Sequence, residues 1–197
     1  MTATSTPFGL VPVKHPSGQV RPDMLRLTKV LVEATPTMFQ NTPVQLDTSG
    51  RLALAANGSS YVGCFQGVEY TDLATGRPVV ANQWINGTTV KDNGADSARV
   101  YFTQDPEIWY RIQASAALTA AVVGDQLDFL NPTTGNTTTG LSSAQADTST
   151  LKGAGAQGMM RIYELDYAPD NLDWTDAFPV IIVGIARHQF IADKTAI

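Results

Sequence analysis

Cysteine is nearly absent from this chain of 197 residues: Cys64 is its only thiol. That excludes an intrachain disulfide and any cysteine-based zinc or iron–sulfur site, and it fits a reducing compartment. Histidine is almost as scarce, since His15 and His188 alone cannot build a three-histidine metal centre. Charge is low as well. Charged residues make up 16% of the chain, below the average of about 25% for a soluble domain. The 13 Lys and Arg against 18 Asp and Glu leave a net charge of -5, so neither nucleic acid nor an anionic membrane is an expected partner. No apolar run approaches the roughly 20 residues of a membrane helix. The opening residues Met1 to Pro7 lack the basic and apolar regions of a secretion signal, and synthesis in a cytoplasm is the expectation.

What is present is enough apolar chain for a core: 43% of residues are hydrophobic. Pro7, Pro12, Pro16 and Pro22, with Gly9 and Gly18, forbid a helix over residues 1–23 and leave an extended path. Phe8, Leu10, Val11 and Val13 sit between them. A solvated tail lacks such anchors, so these residues form an N-terminal arm expected to lie on a surface.

From Met24 to Ala34 apolar and polar residues alternate, which predicts a first strand. Thr35-Pro36 breaks it, and Val44–Asp47 with Arg51–Ala55 reads as a hairpin across Thr48-Ser49-Gly50. Tyr61 to Tyr70 alternates again, with Gly63 and Gly67 suggesting a bulge or bend. Further strands are expected at Arg77–Ile85, Ala98–Thr103, Ile108–Ala114, Gln126–Leu130, Met160–Tyr167 and Phe178–Phe190. The run 180–186 is apolar on both faces, as in a strand between two layers. Ala116 to Val123 is the one expected helix, about two turns long. Residues 131–158 are a long polar tract that reads either as an exposed loop or as a segment holding a short strand near Gly140-Leu141-Ser142. The pattern predicts an all-β barrel or sandwich of short antiparallel strands with one short helix, spanning residues 24–197 behind the arm.

The chemistry-bearing motifs give way to plainer readings. Gly153-Ala154-Gly155-Ala156-Gln157-Gly158 matches a dinucleotide fingerprint but lacks the strand before it and the helix after it, and reads as a loop. Asp92 to Asp96 resembles part of a calcium loop, but Thr103 stands where the bidentate Glu belongs. Asp166, Asp170, Asp173 and Asp176 with Asn171 could form a cation loop, and read equally as surface acids around a turn. Cys64 reads as a small buried hydrophobe, and His188 as a packed imidazole. Asn57-Gly58 and Asn86-Gly87 read as tight turns. No catalytic constellation, cofactor site or metal site is expected.

Three segments together carry a resemblance: Pro7-Phe8-Gly9-Leu10-Val11-Pro12-Val13 in the arm, the stretch from Thr134 to Ser142, and Val183 to Phe190, which ends in His188-Gln189-Phe190. They resemble the decoration, or cement, proteins of tailed-bacteriophage heads. The resemblance implies a non-enzymatic virion protein that binds the outer surface of an icosahedral capsid and bridges its subunits. Its partner would be the major capsid protein, and it would assemble as a dimer or trimer. Pro7, Phe8, Leu10, Val11, Pro12, Val13 and His15 would then be the partner-binding residues, lying across a neighbouring subunit. Two rival readings stay open. One is a carbohydrate-binding or tail-associated β module using Trp84, Trp109 or Trp174, and the other is a hydrolase built on carboxylates such as Asp92, Glu107 and Asp173.

Overall fold

The computed structural model describes residues 5–18, 25–29, 36–91, 98–194 and 196, with residues 25–29 described by their backbone alone. The expected calcium-like turn Asp92 to Asp96 and the continuation of the first strand past Lys29 lie outside them. The fold is all β. Its first sheet has six antiparallel strands, in the order β1 (Val11–Lys14), β10 (Trp109–Gln113), β16 (Val180–Ile185), β15 (Met160–Leu165), β11 (Gln126–Leu130), β14 (Gln145–Lys152). The second runs β2 (Leu25–Lys29), β9 (Arg99–Thr103), β6 (Gly63–Thr71), β4 (Pro43–Leu46), β5 (Leu52–Leu54), with β7 (Pro78–Ala81) also paired to β6. Two short ribbons complete it: β3 (Met38–Phe39) with β8 (Gln83–Trp84), and β12 (Gly135–Asn136) with β13 (Leu141–Ser142).

Each large sheet covers its own core. Tyr110, Ile112, Leu127, Phe129, Met160, Ile162, Ile181 and Val183 pack under the first sheet. Val44, Phe65, Val68, Trp84, Val100 and Phe102 pack under the second. The two-residue alternation decides which side chain goes where: in β10, Tyr110 and Ile112 turn inward, leaving Arg111 exposed and Trp109 half-buried. Thr103 joins the two halves. Its hydroxyl accepts the Cys64 N–H at 2.9 Å and pairs with the Tyr110 hydroxyl at 2.9 Å.

The hairpin across residues 48–50 forms as expected, with Gly50 in the left-handed region at φ 72°. The expected bend falls in β6, whose register with β9 slips between Phe65 and Gly67. This lets one strand pair with β4 at Cys64 and with β7 from Val68 to Thr71. Three expectations need correction. The helix at 116–123 is a single 3-10 turn at Ala120–Val122. Its alanines are too few to carry the nucleation cost, and the Leu118 N–H is committed to the Trp174 carbonyl at 2.9 Å. The tract 131–158 contains three strands: β13 lies at the foreseen place, and the eight-residue β14 was not foreseen. Only Ala146 and Gln145 are buried in β14, so a Thr- and Ser-rich edge strand shows no apolar alternation. Finally, the arm does not stand apart: Val11–Lys14 is an edge strand of the first sheet, with Val11 opposite Arg111 and Lys14 opposite Trp109.

Candidate functional site

The arm is seated through one residue that the sequence does not advertise. Asn41 is buried and adopts φ 67°, a left-handed conformation that Asn tolerates better than most residues. Its carbonyl accepts the Leu10 N–H at 2.8 Å, and its side-chain amide donates to the Phe8 carbonyl at 3.2 Å. Its own N–H donates to the Phe65 carbonyl at 2.7 Å, and its Oδ1 accepts from Gln66 at 3.1 Å. The neighbouring Gln40 donates to the Gly140 carbonyl at 2.8 Å and accepts from the Ser142 N–H at 3.0 Å. Two of the three resembling segments, the arm and residues 134–142, therefore converge on one turn. Gly9 is required there. It sits at φ +80°, and a Cβ on it would lie 2.5 Å from the Asn41 carbonyl oxygen and 2.7 Å from the Ser142 Cβ.

The third segment is equally structural. The His188 Nε2 reaches the carbonyls of Val62 at 3.0 Å and Gln104 at 3.1 Å, while Nδ1 accepts the Phe190 N–H at 3.1 Å. Carbonyls only accept, so Nε2 carries the proton and the ring is neutral. Burial pushes its pKa below the usual histidine value, and the two carbonyl contacts oppose that shift. Such an imidazole is a staple between segments, as the sequence reading held.

Of the expected partner-binding residues, Leu10 is 0% exposed, in the chain's own first core. This corrects the picture of Leu10 as an anchor on a neighbour: the sheet edge beside β10 is the nearest apolar surface to cover it. Pro7, Phe8, Val11, Pro12, Val13 and His15 are half-buried. Phe8 lies under the Arg111 guanidinium, 5.1 Å from ring centroid to Cζ. Phe8 and Arg111 line a cleft of about 490 Å³ together with Thr6, Asp166, Asp170 and Phe178. Asn171 shapes its rim, donating to the carbonyls of Asp166 at 2.6 Å and Val180 at 2.8 Å and accepting the Val180 N–H at 3.0 Å. On the same turn Tyr167 is 69% exposed and Leu172 66% exposed. Arg111 faces Asp166 across 3.9 Å, a loose ion pair that solvent screens.

The acids expected near that turn do not converge. Asp166 faces Arg111, and Asp173 accepts the Thr175 N–H at 2.9 Å, a bond that draws its pKa below the usual carboxylate value. Among the described residues no group of three or more His, Cys, Asp or Glu could hold a metal ion. Cys64 is buried, and desolvation raises its thiol pKa to about 12 despite hydrogen bonds from Thr103 and Gln66. His15 stands between Ser17 and Asp105 in the order of a hydrolytic triad. Its Nδ1 lies 2.7 Å from the Ser17 hydroxyl but also accepts the Ser17 N–H at 3.1 Å, and Asp105 is 3.6 Å from Nε2. A ring nitrogen occupied by the turn's own amide makes this a turn cap.

The tryptophans offer no open ring face of the kind a sugar needs. Trp84 is 0% exposed, and Trp174 packs against the first core. Trp109 carries the Lys14 ammonium 4.4 Å from its ring centroid and stacks on Tyr163 at 4.6 Å. A cation and an aromatic ring cannot share one face at those distances, so both faces are covered. Tyr163 in turn lies on Gly184, where a Cβ would come within 2.5 Å of the ring. Asn41, Arg111 and Asn171 escaped sequence reasoning, and the left-handed tolerance of Asn before Thr42-Pro43 was the one signal available for the first. No protein-family model, no curated protein and no solved structure matches this chain.

Proposed function

We propose that this chain is a virion structural protein that decorates the outer surface of an icosahedral phage capsid, bridging capsid subunits without covalent bonds. The observation that carries the reading is the exposed corner where the arm meets the turn at residues 166–172. Phe8, Arg111, Phe178, Tyr167 and Leu172 come together there, and aromatic residues and arginine dominate the energetics of protein interfaces. The resemblance to decoration proteins supports the same reading. Its motif residues Gly9, Gly140, His188 and Gln189 hold the arm, a hairpin and the last strand in place. The arm then contributes to docking as one wall of a rigid cleft, through Thr6 and Phe8, while Leu10 anchors it from beneath. A net charge of -5 suits the exterior of a shell whose interior holds nucleic acid. Self-association into a dimer or trimer would multiply weak contacts with the shell.

The test is sedimentation of the purified chain with expanded, DNA-free phage heads, followed by counting copies per particle. Saturation at a stoichiometry comparable with the capsid subunit is expected. Failure to co-sediment, or copies confined to tails, overturns the reading.

A further inference from the structure

Two Asn-Gly pairs stand in exposed turns of the same construction, and the structure separates them. In each, the amide two residues after the Asn closes the turn: the Ser59 N–H on the Ala56 carbonyl at 3.1 Å, and the Thr88 N–H on the Ile85 carbonyl at 3.1 Å. In each, the Gly has positive φ, 78° at Gly58 and 86° at Gly87. All four residues of the two pairs are exposed. The difference lies in the glycine peptide. The Gly58 N–H donates to the Met159 sulfur at 3.2 Å, and the Gly58 carbonyl accepts from the Arg187 guanidinium, so that peptide is pinned from both sides. The Gly87 N–H and the Asn86 side-chain amide have no hydrogen-bond partner among the described residues, and the turn is tied elsewhere only by the Asn86 N–H on the Thr37 hydroxyl at 3.2 Å.

We infer that Asn86 is a site of spontaneous deamidation and that Asn57 is protected from it. The Gly87 amide nitrogen gives its proton to solvent base and attacks the Asn86 Cγ. A new N–Cγ bond forms, the Cγ–Nδ2 bond breaks, and ammonia leaves with a proton from water. Water then opens the resulting five-membered imide at either carbonyl, giving aspartate or isoaspartate, with no change of oxidation state. Glycine has no Cβ to obstruct the attack, and an unbonded N–H costs nothing to redirect. At Asn57 the same attack must first release Gly58 from Met159 and Arg187. Each conversion makes the chain one unit more negative, and the isoaspartyl product adds a backbone carbon to the turn between Trp84 and Val90.

The experiment is incubation of the intact chain in mildly alkaline buffer, with peptide mapping by mass spectrometry and isoaspartyl detection at each Asn-Gly pair. Conversion at Asn86 is expected to outpace that at Asn57 by at least about fivefold, the factor that one net hydrogen bond of about 1 kcal/mol contributes to an opening equilibrium. Met159→Leu removes the sulfur acceptor without a change of core polarity, and should raise conversion at Asn57 while leaving Asn86 unchanged. Equal rates at the two pairs, or faster conversion at Asn57, overturn the inference. So does an Asn86 that stays intact while Asn57 converts in the Met159→Leu chain.

Discussion

The Gln189 side chain binds the backbone of Leu46 at two points: its Oε1 accepts the Leu46 N–H at 2.7 Å, and its Nε2 donates to the Leu46 carbonyl at 2.9 Å. A side-chain amide here does what a neighbouring strand would do for the end of β4. With His188 on Val62 and Gln104, it ties the segment after the last strand of one sheet to the other sheet.

Gln189→Ala should therefore lower stability by about 0.5 to 1.5 kcal/mol, a range set by two net hydrogen bonds at a solvent-exposed position. Denaturant unfolding measures it, and Gln189→Glu, which keeps the acceptor and loses the donor, should fall between the two. An unchanged midpoint for Gln189→Ala would show that water replaces the amide at no cost.

The arm separates into a structural and a displayed residue. Leu10→Ala deletes a fully buried side chain and should cost about 2 to 5 kcal/mol, enough to release β1 from β10. Phe8→Ala, at a half-buried position, should cost about 1 kcal/mol or less while opening the cleft wall. Hydrogen exchange at the amides of Val11 and Val13 reads the difference: rapid exchange in the Leu10 variant, near-native exchange in the Phe8 variant.

Acid should weaken the fold through His188. Its folded pKa lies below the ordinary value, so the unfolded chain binds more protons as pH falls. Its contribution is then fully present above about pH 6.5, the unfolded histidine value, declines as pH drops through that value, and levels off below the folded pKa. Protonation would also place an N–H on Nδ1 facing the Phe190 N–H. Unfolding curves between about pH 5 and 7 should show this slope, and His188→Gln should flatten it.

Tyr167→Ala with Leu172→Ala removes two exposed side chains. Stability should stay within about 0.5 kcal/mol of the parent. Attachment to expanded heads should weaken by about tenfold or more, as for loss of an interface anchor. Calorimetry checks the first statement and co-sedimentation the second. Undiminished attachment would move the docking face away from the 166–172 turn.

The chain's own pattern determined the β class, the hairpin at residues 48–50, the bend in β6 and the doubly buried last strand, because each is written in local alternation, glycine placement or apolar runs. Local rules also disposed of the dinucleotide and thiol readings. Tertiary structure alone decided where the arm goes. An extended, proline-rich segment with apolar anchors covers any apolar edge within reach, and the nearest is β10 of its own sheet, beside the left-handed turn at Asn41. It likewise decided β14, a polar edge strand held by pairing with β11, and the cleft at Arg111. Those features depend on which residues distant in sequence become neighbours, and period and propensity carry no information about that.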